Sequence, residues 1–102
     1  MGGGFWQTTE ATETKMTAYK ILFTPHAQKD INHLPLPIKE RVEQVLHKIS
    51  INPYLGKTLQ GEWKGAYSYR LSDYRIIYKI NKSSILVIVL KIGHRKDIYR
   101  GN

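Results

Sequence analysis

Apolar residues recur at helical spacing in the first half of the chain and switch to alternation in the second. Ala18 to Phe23 is a short β-prone run. Thr24-Pro25 then supplies a hydroxyl N-cap and a first-turn proline, which predicts a helix opening there. Ala27, Ile31 and Leu34 share one side of that helix, and Pro35 ends it because a proline ring lacks the N–H and crowds the preceding turn. From about Pro37 a second helix is predicted, with Ile38, Val42, Val45, Leu46 and Ile49 forming one apolar stripe opposite Lys39, Glu40, Arg41, Glu43, Gln44 and Lys48. The pair makes a helical hairpin with a single face to bury.

Asn52-Pro53, Gly56, Gly61 and Gly65 mark an extended loop after the hairpin. Beyond it the period becomes two. Tyr67, Tyr69 and Leu71 alternate with Ser68 and Arg70, Ser72-Asp73 turns the chain, and Tyr74, Ile76, Tyr78 and Ile80 alternate with Arg75, Ile77 and Lys79. Asn81-Lys-Ser-Ser84 turns it again into Ile85 to Ile92, which is apolar on both faces until Lys91 and so belongs in the middle of a sheet. The predicted class is α+β in the order β-α-α-β-β-β, with the two-helix hairpin packed on one face of an antiparallel sheet.

With 102 residues, the chain has room for one small domain. Residues 1–15 are Gly- and Thr-rich without periodicity, and are expected to be a disordered leader or N-terminal extension ahead of a domain spanning 16–102. Phe5 and Trp6 in that leader leave open a docking role. The longest apolar run, Ile85 to Leu90, has six residues, well short of the ~20 of a membrane helix. No secretory signal is recognisable, so a cytoplasmic protein is expected. Zero cysteines exclude a disulfide framework and cysteine chemistry.

Charge changes the picture. The net charge is +8, and residues 64–102 alone hold nine basic residues against Asp73 and Asp97. Turning the tyrosines and Leu71 toward the helices sends Ser68, Arg70, Arg75 and Lys79 to the opposite face, with Arg70 and Arg75 neighbours across a short turn. Arg95, Lys96, Tyr99 and Arg100 follow the last strand and have the reach to fold back there. Any one of these cations taken singly reads more readily as solvated surface. Together they repel unless an external anion, such as phosphate gripped by guanidinium forks, compensates them.

Leu59-x-Gly61, Ala66-Tyr-Ser-Tyr-Arg-Leu-Ser-Asp-Tyr-Arg-Ile-Ile-Tyr78 and Ile92-Gly-His-Arg-Lys-Asp-Ile-Tyr-Arg100 together resemble the RelE/ParE superfamily, the toxins of type II toxin–antitoxin pairs. The likeness spans Ala18 to Arg100. Its RelE branch implies a ribosome-dependent endoribonuclease that cuts mRNA in the A site without a metal or other cofactor. In that chemistry the 2′-hydroxyl attacks the adjacent phosphate, which calls for a base, cations around the extra charge and an acid for the leaving oxygen. The family's basic positions fall on Arg70, Arg75 and Arg95, and its C-terminal tyrosine on Tyr99, which implies phosphate and charge stabilisation by the arginines and base stacking or proton transfer by the tyrosine. Where ribonuclease members carry a basic residue two positions before Arg70, this chain has Ser68. His94 is the substitute base this leaves, with termination of the strand as its plainer role.

Lys57, Lys64, Lys79, Lys96 and Arg100 are expected to contact mRNA or ribosomal RNA, with solvated lysines as the alternative. His26 and His33 share a helix face but have no further ligands at metal-binding spacing, so surface histidines are expected. Trp63 is expected to cover the core edge, with RNA stacking as its alternative. The resemblance further implies an acidic antitoxin as partner and no membrane partner. Two other functions stay open: a ParE-like inhibitor of DNA gyrase, against which Arg95 and Tyr99 argue, and a catalytically inactive binding protein, which Ser68 permits.

Overall fold

A computed structural model of the chain describes residues 18–98. Residues 1–15, Tyr99 and Arg100 lie outside the described residues. The elements are β1 (Lys20–Phe23), α1 (Pro25–Asn32), α2 (Leu36–Ile51), β2 (Lys57–Thr58), β3 (Tyr67–Leu71), β4 (Tyr74–Asn81) and β5 (Leu86–His94). Short 3-10 turns at Pro53–Leu55 and Gly61–Trp63 flank β2. The strands form one sheet in the order β1-β5-β4-β3-β2. β5 is an interior strand, flanked by β1 and β4, as its two apolar faces predict, while β4 takes the middle place.

Two features differ from the predicted antiparallel sheet. β1 pairs with β5 in parallel, which makes the sheet mixed. No turn joins these two strands, so their relative direction is a tertiary outcome that local pattern does not encode. The predicted loop between α2 and β3 also contains β2, whose two residues pair antiparallel with β3.

Thr24 caps α1 as its sequence predicts: the hydroxyl oxygen accepts from the Ala27 N–H at 3.1 Å, and Pro25 occupies the first turn. The same hydroxyl donates to the Leu90 carbonyl at 3.2 Å. Asp30 Oδ2 accepts from the Ile92 N–H at 2.9 Å. β1 stops at Phe23, so these α1 side chains pair with the stretch of the β5 edge that β1 does not reach.

Between Ile77/Tyr78 and Lys91/Val89 the β4–β5 register shifts by one residue, leaving Leu90 as a bulge. Val87, Val89 and Ile92 consequently all join the helix-facing core, although strict alternation would send Ile92 to the other side. That core unites Ala27 and Ile31 of α1, Val42, Val45, Leu46 and Ile49 of α2, and Ile76 and Tyr78 of β4. The opposite face carries its own small cluster, in which Ala66, Ile77 and Ile98 are buried and Leu59, Trp63 and Leu90 pack against them. Trp63 therefore covers the core edge, and Ile98 shows that the chain after β5 folds back onto the open face.

Candidate functional site

The open face ends at the β3–β4 hairpin, where Ser72 adopts a left-handed φ of 57° to make the tight turn. One pair back from that turn, behind Leu71 and Tyr74, Arg70 and Arg75 are register partners and project from the same face. The half-buried Arg75 guanidinium donates to the Tyr74 carbonyl at 3.1 Å and to the Ser72 carbonyl at 3.5 Å. Arg95 arrives from the end of β5, the strand next to β4: its backbone N–H donates to the Asp73 carbonyl at 2.7 Å, and its Nε stands 3.9 Å from Asp73 Oδ1. Three arginines thus surround one two-residue turn, and the carboxylate among them is exposed, where an ion pair compensates little. Guanidinium groups so placed can grip an anion such as phosphate from solvent.

Gly93 pairs with Arg75 and presents no side chain to the open face, so Ile98 packs into the space; a Cβ on Gly93 would meet Ile98 Cδ1 at 3.4 Å. One row along the sheet, Lys57 pairs with Ser68, so its stem rises on the same face as Leu59 of the open-face cluster. Lys57, Ser68 and Arg70 line one shallow depression of about 300 Å³. At the edge of β3, Arg70 also meets Arg41 and Lys48 of α2 around a second depression of about 250 Å³. The helical pattern marks Arg41 and Lys48 only as a polar face, and nothing local signals that α2 lays them beside β3.

His94 stands elsewhere. The Leu90 bulge resets the alternation of β5, so His94 pairs with Tyr74 and turns to the helix side, away from Arg75. Its ring lies edge-on to Tyr74 with centroids 5.5 Å apart, and its Nδ1 accepts the Lys96 N–H at 3.1 Å. There it lines a cleft of about 400 Å³ with His26 and Asp30 of α1 and His33, which caps the C-terminus of that helix. Among the described residues no three or more His, Asp or Glu side chains gather where they could hold a metal ion. Lys79 does share the open face, but four residues along β4 put it about 13 Å from Arg75. Lys64 and Lys96 are exposed, the first in the turn after Trp63 and the second beside Arg95.

A buried tyrosine supports the Lys57 row. Tyr78 is fully buried on the helix side, stacked on Tyr67 at 5.6 Å between centroids. Its hydroxyl donates to the Pro53 carbonyl at 2.8 Å and accepts from the Gly56 N–H at 2.9 Å, pinning the loop that leads into β2. Burial pushes its pKa from 10.0 up to about 12, against the lowering effect of the Gly56 bond. Gly56 passes so close that a Cβ there would lie 2.6 Å from the Tyr78 hydroxyl and 3.0 Å from the Ser68 carbonyl.

Residues 21–99 match the family described as the ParE toxin of the type II toxin–antitoxin system parDE, and the chain belongs to it. It is a toxin-family protein of such a system, with RelE-like relatives. Toxin RelG of Mycobacterium tuberculosis is 37% identical over 84 residues, covering 80% of this chain and 97% of that protein. Toxin RelE of the same organism is 35% identical over 86 residues, covering 82% and 89%. Among solved structures, the toxin–antitoxin complex RelBE2 from M. tuberculosis matches with a TM-score of 0.73 at 33% identity, covering 80% of this chain and 97% of that one. The isolated E. coli RelE toxin matches with a TM-score of 0.68 at 25% identity, covering 76% and 84%. Among the described residues, no helix is long and apolar enough to cross a membrane.

Proposed function

We propose that this toxin is an endoribonuclease that enters the ribosomal A site and cuts mRNA there, halting translation in the cytoplasm. The observation that carries the reading is the convergence of Arg70, Arg75 and Arg95 on one hairpin turn of an otherwise acid-poor face. Cleavage by the RNA's own 2′-hydroxyl places extra negative charge on the phosphorane, and fixed guanidinium groups are suited to holding it. Arg75 and Arg95 take the scissile phosphate, Arg70 assists, and Tyr99 orients or stacks on a base. Lys64, Lys79, Lys96 and Arg100 are contacts to ribosomal or messenger RNA. Toxin relatives solved in complex with antitoxins support a cognate antitoxin, and the cationic face suits an acidic one.

Programmed ribosomes incubated with the protein test this, with cut sites mapped by primer extension. The expected result is cleavage within the A-site codon that falls about 100-fold or more in Arg75→Ala, the scale for removing one donor to a developing oxyanion. The name of the matched family favours one second reading, inhibition of DNA gyrase. Intact mRNA on ribosomes together with trapped DNA breaks in a gyrase and plasmid assay would replace the first reading with the second.

A further inference from the structure

We propose that Lys57 is a catalytic residue of this site, its ammonium group contacting the phosphate at which the RNA is cut; the assignment rests on the endoribonuclease reading. Ser68 stands one row from Arg70 and Arg75 and contributes a hydroxyl, which carries no charge to offset the phosphorane. Its register partner on the neighbouring strand is Lys57. Partners across an antiparallel pair project on the same face about 5 Å apart, and the diagonal from position 57 to position 70 is roughly 7–8 Å, within the span of a lysine and an arginine reaching for one anion. The depression that Lys57, Ser68 and Arg70 share is that meeting place.

The placement of Lys57 is built rather than incidental. It is the residue directly after Gly56, whose N–H is tied to the buried Tyr78 hydroxyl, which in turn holds the Pro53 carbonyl. Gly56 has no room for a side chain against Tyr78 and Ser68. The two-residue strand β2 is therefore fixed at its entry, and an exposed lysine on a short edge strand gains a defined origin beside the arginine group.

In the step itself, a lone pair of the 2′-oxygen forms the new bond to phosphorus and the P–O5′ bond pair leaves with the 5′-oxygen. The 2′-hydroxyl proton passes to water and the 5′-oxygen gains one, so nothing is consumed. Lys57 transfers no proton in this scheme. It donates a hydrogen bond to a non-bridging oxygen, opposite the guanidinium of Arg70, and its interaction strengthens as charge builds.

The test is single-turnover mRNA cleavage at saturating programmed ribosomes, with ribosome affinity measured separately and folding checked by thermal melting. Lys57→Ala is expected to lower the saturated rate 10- to 100-fold with affinity nearly unchanged, whereas Lys29→Ala, on α1 across the sheet, keeps the wild-type rate. Moving the amine across the register in the double variant Lys57→Ala/Ser68→Lys is expected to restore the rate to within about fivefold. A wild-type saturated rate in Lys57→Ala, a loss confined to affinity, or no recovery in the double variant each overturns the assignment. Absence of cleavage by the unaltered chain overturns the endoribonuclease reading itself, and this assignment with it.

Discussion

Tyr78 illustrates how one side chain is recruited by two parts of the molecule. Its ring fills the core under α2, and its hydroxyl closes hydrogen bonds to Pro53 and Gly56 that no sequence pattern announces. Tyr78→Phe leaves a carbonyl and an N–H without that partner, and is expected to cost about 1–3 kcal/mol in chemical denaturation. The hydroxyl also sets a pH dependence. The folded state keeps its phenol protonated to about pH 12, while the unfolded chain releases that proton near 10.0. Above pH 10 the unfolded state binds fewer protons, so stability is fully present below that pH and falls toward pH 12, by at most about 1.4 kcal/mol per pH unit. Comparing melts of the wild-type and Tyr78→Phe proteins from pH 9 to 12 checks this: the variant should lose the dependence that belongs to Tyr78.

At the scale of elements, the junction between α1 and β5 carries the most structural information. Thr24 is an N-cap legible in the sequence, and Thr-Pro before an apolar period suffices to predict it. Its second bond, to the Leu90 carbonyl, ties the helix start to the bulge. Thr24→Val keeps the shape and removes both bonds, and a loss of about 1–2 kcal/mol in unfolding free energy is expected, the upper part of the range for a cap alone. The bulge decides which way β5 faces at its end. Without the extra residue His94 would share a face with Arg75; with it His94 lies against Tyr74 and α1. A strand that is apolar on both faces does not reveal where its period slips, so the sequence places His94 near the arginines and the fold does not.

For the whole molecule, the charge of +8 and its concentration in residues 64–102 set how it meets a partner. Most of the lysines are exposed and distant from the three-arginine turn, so they act through the summed field more than through fixed contacts. Under the proposed function, ribosome association is expected to weaken at least tenfold between 50 and 250 mM monovalent salt, measured by co-sedimentation, while the rate of mRNA cleavage on ribosomes already bound by the toxin changes far less. A saturated rate that falls in parallel with binding would place those lysines in the chemistry as well.

The two helices and the start of α1, the period-two strands and the face shared by Arg70 and Arg75 were determined by sequence, because each depends on neighbours within a turn or a hairpin. The interior place of β5 was legible in its two apolar faces, whereas α1 ends at Asn32, short of the predicted stop at Pro35. The family was equally legible, since its motifs lie in contiguous stretches. What only the tertiary structure decided involves residues far apart in the chain. The parallel pairing of β1 with β5, the short strand β2, the seating of Arg41 and Lys48 beside Arg70, and the row that sets Lys57 opposite Ser68 depend on strand direction and register between distant segments. Those are fixed by burying two faces of one sheet at once and by closing buried hydrogen bonds such as those of Tyr78. Local periodicity records which face a residue prefers, and packing alone determines which distant residue it meets there.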